Sequence, residues 1–487
     1  MVVNSFSFLI FFVVVFIVYY LPVCRSNPRF QNVWLLLVSF FFYGYTDWRM
    51  TALLLGAILV FYYLGHWLRH EMDQEHTRKA SHITTFSVVL GIAVLFYFKY
   101  LNFFADSIAS VLQAIGFNVN WSTLNIILPI GVSFFTFKLI SYIIEIHREH
   151  IQPSGLLEFA DYISFFPTIL SGPIDRPNQF LPQLQRVHTL NYALAADGCR
   201  QILWGMFTKM CIADNLAMIT NQAWTSYSSL SSVTLLIAAL IYPLQLYADF
   251  DGYSNMAIGV GKLLGFDIAR NFNHPFLARN MAEFWRRWHM SLTSWITDYV
   301  FMPLNIAFRE IGNWGIAFAA IINLLVIGFW HGANWTYGFF GLYHGLLFIP
   351  LVFSGAFGKR KKLKANSHGL PFAKDLWKMV ATYGLVTIGL TVFRAPSIGQ
   401  AYEYFSCLVT NGFDGPSIID SYSKLFCLFA IILLALEWIQ RDKQHALQFP
   451  DTSLFNNRII RWGLYLFLIL LIITFTGQSQ AFIYFQF

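Results

Sequence analysis

Charged side chains are scarce in this 487-residue chain: Asp, Glu, Lys and Arg together make 12% of it, roughly half of the ~25% usual in globular proteins. So little charge cannot cover the surface of a water-soluble protein of this length. The disordered, coiled-coil and collagen-like classes are excluded with it. Cysteine is sparse too. Cys24, Cys199, Cys211, Cys407 and Cys427 lie far apart in or beside apolar stretches, with no C-x-x-C pair, so they read as packing residues rather than a disulfide frame or metal site. No Gly-rich phosphate loop, G-x-S-x-G elbow or H-E-x-x-H motif occurs. Also missing are the basic start and small-residue cleavage site of a signal peptide, so residues 6–21 are expected to remain as a first span.

What fills the chain instead is apolar and aromatic, 57% hydrophobic residues with 51 Phe, 24 Tyr and 15 Trp. That composition predicts an all-α polytopic membrane protein. A spanning helix needs about 20 mostly apolar residues. On that ruler about eleven transmembrane helices are expected, drawn from 6–23, 33–45, 51–68, 83–104, 124–146, 198–219, 233–246, 317–330, 335–353, 377–393, 425–438 and 462–475. The 32 basic and 25 acidic side chains leave a net charge of +7, which in such a protein reflects cytoplasmic loops; no nucleic-acid role is expected. Within 358–378, Lys359, Arg360, Lys361, Lys362, Lys364, Lys374 and Lys378 stand against Asp375 alone, which places that loop in the cytoplasm. Alternation from there opens the hairpin tip at 331–334 outward and returns the stretch around Arg286 and Arg287 to the cytoplasmic side.

Two stretches fit neither span nor solvated loop. Residues 159–184, with the core FFPTILSGPIDRP, are too apolar for a loop and too rich in proline and glycine for a helix, so a re-entrant segment is expected. Residues 271–308 mix Trp285, Trp288 and Trp295 with Arg279, Arg286 and Arg287, the composition of helices lying at a membrane interface. No internal repeat points to an inverted-repeat transporter.

The most informative chemistry lies in GFWHGANWTYGFFGLYHG, residues 328–345. His331 sits there between two apolar helices, and an ionisable group inside a membrane protein is a functional candidate. Burial favours neutral imidazole, the form a general base requires. Gly332 would leave space for a substrate beside the ring, and Asn334 would orient the imidazole or polarise a carbonyl. A histidine hydrogen-bonded across helices as structural glue has the same spacing. His344 reads as a packing residue, and His289 by position alone as an interfacial histidine. His66 and His70 share a helix face but have no carboxylate at ligand spacing, so no metal site is expected. Asp249 and Asp251, in YADFDGYSN, form a D-x-D, which some metal-dependent glycosyltransferases use; carboxylates paired with a cation or capping a helix fit as well.

These segments resemble the membrane-bound O-acyltransferase family. The resemblance runs through LPIGVSFFTFKLISYIIEIHR (128–148), SFFPTILSGPIDRPNQFLPQL (164–184), YADFDGYSNMAIGVGKLLGFDIARNFNHPF (247–276), FWRRWHMSLTSWITDYVFMPL (284–304), FWHGANWTYGFFGLYHG (329–345) and the terminal FIYFQF. It is nearest to the branch that holds the membrane subunit of bacterial alginate O-acetylation and the protein that D-alanylates teichoic acids. It implies one transmembrane domain over 1–487 with a catalytic core at about 124–355, a cytoplasmic approach for an acyl thioester and an extracytoplasmic funnel for the acceptor. The family's invariant histidine falls on His331 and its second characteristic histidine on His289, with Asn334 beside them. Asp249, Asp251, Tyr253, Ser254, Trp285, Arg287, Trp330, Trp335 and His344 are expected to line the substrate tunnel. Asn255 stands where relatives often have Asp, and Lys138 where Gln is frequent.

The activity so implied is transfer of acetyl from a cytoplasmic thioester, acetyl-CoA or similar, toward an extracytoplasmic polysaccharide, with no tightly bound cofactor and no metal. A periplasmic acetyltransferase of the serine-hydrolase SGNH type is the partner the resemblance implies, besides membrane lipid, and a bacterial inner membrane the location. A transporter and a metal-dependent glycosyltransferase are the rival readings.

Overall fold

The computed structural model describes residues 1–487 apart from positions 2, 118–122, 125, 360–361, 368, 415, 450–454, 456, 477–479, 481 and 483–487. Two of the basic residues counted in the 358–378 loop, Arg360 and Lys361, and most of the terminal FIYFQF lie outside the described residues. Among the described residues the chain is helical with no strand, and a single bridge joins Ala365 to Pro371. Eight helices are long and apolar enough to cross a membrane: Trp48–Asp73, Thr77–Ala114, Tyr192–Thr225, Ser232–Leu264, Arg309–His331, Trp335–Phe353, Ala373–Arg394 and Arg458–Phe475. Several other expected spans form shorter helices. Phe6–Tyr19, Pro28–Gly44 and Val132–His147 have 14, 17 and 16 residues, below the length that crosses a bilayer unaided.

The chain divides into two compact units. The first comprises residues 1–199 and 257–269. Its central helix, Val132–His147, buries every residue except Ile144 and His147, so its polar side chains Ser133, Thr136, Lys138, Ser141 and Glu145 also lie inside the unit. Neighbours approach closely through glycine: a Cβ on Gly65 would lie 2.9 Å from the Tyr142 ring, and one on Gly91 2.8 Å from Ile140.

The stretch read as re-entrant belongs to this unit. It consists of the helix Leu156–Ser164, an irregular run, and the helix Pro177–Leu184, and residues 159–175 are buried without a break. Backbone outside a helical ladder at that depth must find hydrogen bonds inside the protein. Lys138 supplies one of them, its ammonium donating to the Tyr162 carbonyl, and donates also to the side-chain Thr168 Oγ1, both at 3.1 Å. The Phe166 amide donates to Ser39 Oγ at 3.2 Å, and Asp175 Oδ1 accepts from the Ala269 amide at 2.9 Å. Gly131, at φ 76°, passes so near the segment that a Cβ would meet the Ile169 carbonyl oxygen at 2.4 Å.

The second unit comprises residues 200–256 and 270–487. Gly312–His331 and Trp335–Leu346 form a tight hairpin within it. Small residues set their approach: a Cβ on Gly341 would fall 2.4 Å from the Leu324 carbonyl, and one on Gly345 2.9 Å from Ile321 Cα. This is the small-residue contact by which membrane helices pack backbone to backbone. The stretch 271–308, expected to lie at the interface, is instead mostly folded into the unit. Phe272, Phe276, Phe284, Trp285, Trp288 and Trp295 are all buried, and only residues 297–311 lie uniformly half-buried or exposed. Its arginines are held internally, Arg287 donating to the Asn273 carbonyl and to Glu283, and Arg279 to Glu283, each at 3.0 Å. Those bonds let an Arg- and Trp-rich segment be buried without stranded charge.

Replacing Lys138 by Met keeps a long side chain but strands the Tyr162 carbonyl, a loss of about 1–3 kcal/mol. Thermal unfolding of the detergent-solubilised variant should occur below wild type, with Lys138→Gln intermediate because an amide still donates. An unchanged Lys138→Met transition would show that the re-entrant segment does not depend on this bond.

Candidate functional site

His331 is the last residue of Gly312–His331 and is 5% exposed. The next helix begins at once because Asn334 caps it: Asn334 Oδ1 accepts from the Thr336 amide at 3.0 Å and its Nδ2 donates to the Pro396 carbonyl at 2.8 Å. This is the standard N-cap use of Asn. Neither bond reaches His331, so the orienting role expected of Asn334 gives way to fixing the turn. Gly332 does not leave a gap either. A Cβ there would strike the Tyr337 ring at 2.3 Å, so the space beside the glycine is filled by Tyr337.

His289 meets His331 in this unit, with ring centroids 6.3 Å apart. It is fully buried, which corrects the interfacial reading made from position alone. Trp330, 5.6 Å away, and Phe250, 4.7 Å away, pack edge-on to its ring. The backbone at His289 is left-handed, φ 43° and ψ 51°, a costly conformation for a non-glycine residue. It is held by a short relay: Asn271 Nδ2 donates to Ser254 Oγ at 2.9 Å, Asn271 Oδ1 accepts from Ser291 at 2.5 Å, and the Asn271 carbonyl accepts from the Met290 amide at 2.7 Å. Ser254 thus positions the histidine. Complete burial, and second the charge of His331, push the His289 imidazole below its ordinary pKa, which favours the neutral ring.

An aromatic series continues from the pair. Phe393 lies 5.2 Å from His331, Phe340 5.1 Å from Phe393, and His344 4.4 Å from Phe340. Trp285 Nε1 donates to His344 Nδ1 at 3.1 Å. An indole can only donate, so His344 Nδ1 is the bare nitrogen and the proton sits on Nε2. His344 Nε2 faces Gly389, where a Cβ would come within 2.4 Å.

Asp249 and Asp251 lie on one helix, Ser232–Leu264, where residues two apart point to different sides. Asp249 lines a cavity of about 220 Å³, together with Lys209, Asp214, Asn221, Tyr242, Gln245, Asn334, Tyr337, Phe393 and Arg394. Asp251 lines a second space of about 20 Å³ with Tyr247, Asn255, His274 and Glu437, room for about one water. Two carboxylates that open into separate cavities cannot share a metal, so the D-x-D reading loses its geometry.

The larger cavity adjoins His331 through Phe393 and Tyr337. Its floor is a buried ion triad that sequence reasoning missed: Lys209 Nζ lies 2.6 Å from both Asp214 and Asp249, with side chains no more than 6% exposed. Lys209 stands in a π-turn, Phe207–Ala213, whose wider coil brings a residue and the fifth one on to the same face, hence the Lys209 to Asp214 pairing. The signal available was two charges five apart inside the expected span 198–219. Around the smaller space, the Tyr247 hydroxyl donates to Glu437, and His274 Nδ1 lies 3.7 Å from the same carboxylate. Burial opposes charge on His274, but the nearby Glu437 carboxylate outweighs it and raises its pKa.

The remaining tunnel candidates divide. Tyr253 stacks on Phe482 at 4.6 Å and is buried beside the helix face of Asp249, whereas Arg287 is committed to the 271–288 turn and Trp335 is 53% exposed. Lys209→Met would leave Asp214 and Asp249 buried without their cation, at about 3–5 kcal/mol. The variant should accumulate poorly, and thermal unfolding should show the loss partly restored in Lys209→Met with Asp249→Asn; wild-type stability in the single variant would contradict the triad's weight.

Comparison with known proteins identifies the family. The model of the membrane-bound O-acyltransferase family, MBOAT, matches residues 40–368. A probable alginate O-acetylase, AlgI of Pseudomonas aeruginosa, is 37% identical over 421 residues, covering 85% of this chain and 75% of that protein. The peptidoglycan O-acetyltransferase of Helicobacter pylori is 30% identical, covering 81% of this chain and 76% of its own length. The teichoic acid D-alanyltransferase of Bacillus subtilis is 34% identical over 55% of this chain and 69% of its own. The transport reading falls with these matches. The chain belongs to the membrane-bound O-acyltransferase family and is an O-acyltransferase of a multi-pass membrane type.

Proposed function

We propose that the protein moves an acetyl group from a cytoplasmic thioester, acetyl-CoA or a similar donor, to a hydroxyl on the far side of the bacterial inner membrane, for O-acetylation of an extracytoplasmic polysaccharide. The observation that carries the reading is the buried His289 and His331 pair at the end of the hairpin, 6.3 Å apart, with a polar cavity adjoining one side of it. The names of the relatives, an alginate O-acetylase and a peptidoglycan O-acetyltransferase, support acetyl as the group and polysaccharide as its destination. A periplasmic SGNH-type acetyltransferase is the proposed partner that completes delivery.

In this reading His331 acts as general base. Its neutral imidazole takes the proton of the acceptor hydroxyl as the oxygen attacks the thioester carbonyl; collapse of the tetrahedral adduct breaks the C–S bond, and the departing thiolate takes that proton back. General-base assistance contributes about 10² to 10⁴ in rate. His289, held neutral and locked in its left-handed turn by Asn271 and Ser254, shapes the donor side. Asn334 and Trp285 are positioning residues, the first through the turn after His331 and the second through the tautomer of His344.

The test follows labelled acetyl from acetyl-CoA in lipid-reconstituted protein, with and without candidate periplasmic partners. His331→Ala at wild-type protein level should lose about 10²-fold or more of the transfer rate, and turnover equal to wild type would remove the histidine from the mechanism. Trp285→Phe is expected to lower kcat less than His331→Ala does, because it frees the His344 tautomer without touching the reacting atoms; an equal loss would make Trp285 part of the chemistry itself.

A further inference from the structure

Among the described residues of the second unit, two residues other than glycine carry left-handed backbone, His274 at φ 49° and His289 at φ 43°. One set of hydrogen bonds joins their turns. The Asn273 amide donates to the Arg287 carbonyl and Arg287 Nη1 to the Asn273 carbonyl, each at 3.0 Å. The Met290 amide donates to the Asn271 carbonyl at 2.7 Å. The run 271–274 is thereby stitched to the chain on both sides of His289. Strained backbone persists where its surroundings over-determine it, so the hold on 271–274 decides how firmly His289 is held.

The His274 ring, 7% exposed, supplies that hold. Its Nε2 lies 3.4 Å from the Lys443 carbonyl and its Nδ1 3.7 Å from Glu437 Oε1. A carbonyl can only accept, so Nε2 carries a proton, and a carboxylate beside Nδ1 calls for a second proton there. The surroundings are those of an imidazolium. Asp251 lines the same water-sized space as Glu437 and His274, so two buried carboxylates adjoin one ring. Their remaining bonds are with neutral groups: the Tyr247 hydroxyl donates to Glu437, and Asn255 Nδ2 to Asp251 Oδ2 at 2.8 Å. His445, 2% exposed, also lines the space. Charges on the other packed segments are directed elsewhere. Arg287 donates to Glu283 as well as Asn273, Arg441 donates to the Trp438 carbonyl, and Asp442 is exposed. Tyr383 packs on Phe276 at 5.1 Å and donates its hydroxyl to the Leu240 carbonyl.

We propose that His274 is a positioning residue for His289: as a cation pinned between Glu437, Asp251 and the Lys443 carbonyl, it holds the 271–274 turn that keeps the His289 backbone in its strained form. The proposal rests on the acyl-transfer reading and adds a proton on which the geometry of that site depends. Burial opposes the charge, and the Glu437 carboxylate outweighs burial and raises the His274 pKa. The charged pairing is therefore complete below about pH 6.5, the ordinary imidazole value. It is lost as pH climbs through the raised value, where the ring turns neutral and leaves two carboxylates without their cation. An alkaline limb in activity follows, set by a residue that does not touch the reacting atoms.

The experiment uses the full chain in lipid nanodiscs with labelled acetyl-CoA, and follows two quantities against pH. The first is kcat/KM for thioester cleavage, which reports groups of the free enzyme. The second is hydrogen exchange of the 287–291 amides, corrected for the intrinsic pH dependence of exchange. In wild type both should show one alkaline transition, activity falling as the Met290 amide loses protection. Glu437→Gln keeps the side-chain shape without the charge and should move both transitions down by about one pH unit or more. His274→Asn suits left-handed backbone and does not titrate; it should lose both transitions and lower kcat/KM by about ten-fold or more. Glu310→Gln, on an exposed pair with Arg309, is the control and should follow wild type. Absence of both transitions in wild type, transitions unmoved in Glu437→Gln, or a wild-type alkaline limb in His274→Asn overturns the proposal. Variants that melt earlier yet keep wild-type pH profiles overturn it too, since His274 would then be an anchor without influence on His289. If Glu437→Gln does not fold, Asp251→Asn is judged by the same criterion. Absence of His331-dependent cleavage at every pH defeats the acyl-transfer reading instead, and the exchange transitions alone then decide the role of His274.

Discussion

Backbone that leaves the helical ladder inside a membrane has no water to bond to, and this protein leaves the ladder in the buried run before Pro177 and at the turns beside His289 and His331. The supply of internal hydrogen bonds at those places organises the rest. In the first unit Lys138 reaches the re-entrant run through the Tyr162 carbonyl and Thr168. In the second, Asn334 closes the turn after His331 and Asn271 holds the strained turn at His289. An asparagine suits such a turn because it offers a donor and an acceptor on one short stem. Each bond is worth little on its own, but an unmade one at this depth costs more than a made one gains. These bonds define the turns, and the turns bring the two imidazoles to a centroid separation of 6.3 Å.

The same economy governs charge. The protein buries cations where carboxylates surround them, as at Lys209, and burial shifts the His289 ring toward its neutral form. The two uses are spatially separate. Phe393 and Tyr337 stand between the ion triad and His331, so the triad's field reaches the imidazole through apolar and aromatic groups rather than through a hydrogen-bonded chain. In the proposed mechanism a base that exchanges a proton with substrate is better placed beside aromatic walls than in a salt-bridged network, where its proton would be held by neighbours.

Much of this was legible in the residues. Apolar runs gave the helical membrane class, the Pro- and Gly-rich run at 159–184 the irregular buried segment, and the hairpin motif the buried turn at His331. Position alone misled at His289, because Trp and Arg neighbours are as common at a lipid interface as in a buried turn; only the resemblance set it apart. Asn334, read for chemistry, serves in the structure as the cap of the next helix, as Asn before Trp335 and Thr336 signals. The ion triad and Arg394 were not found. Lys209 meets Asp249 across forty residues and Arg394 meets Asn221 across 173, and no local pattern encodes such pairings. Arg394 at a helix end also looks like any cation that snorkels to the membrane surface.

The D-x-D illustrates how helical periodicity decides function. On a strand, residues 249 and 251 would share a face and a ligand; on Ser232–Leu264 they are turned roughly 200° from each other. One helix thereby serves two environments, with Phe250 between them packing on His289 at 4.7 Å. Asp249 is drawn to Lys209 on the side of the cavity that adjoins His331, and Asp251 faces Tyr247, His274 and Glu437 on the other. A shift of this helix along its axis would displace both carboxylates and the aromatic wall of His289 together. The two ion clusters therefore act as pins on either side of the ring that touches the histidine. That coupling relates the buried charges to the His289 and His331 pair: they fix the helix that carries Phe250, and the His289 ring packs against it.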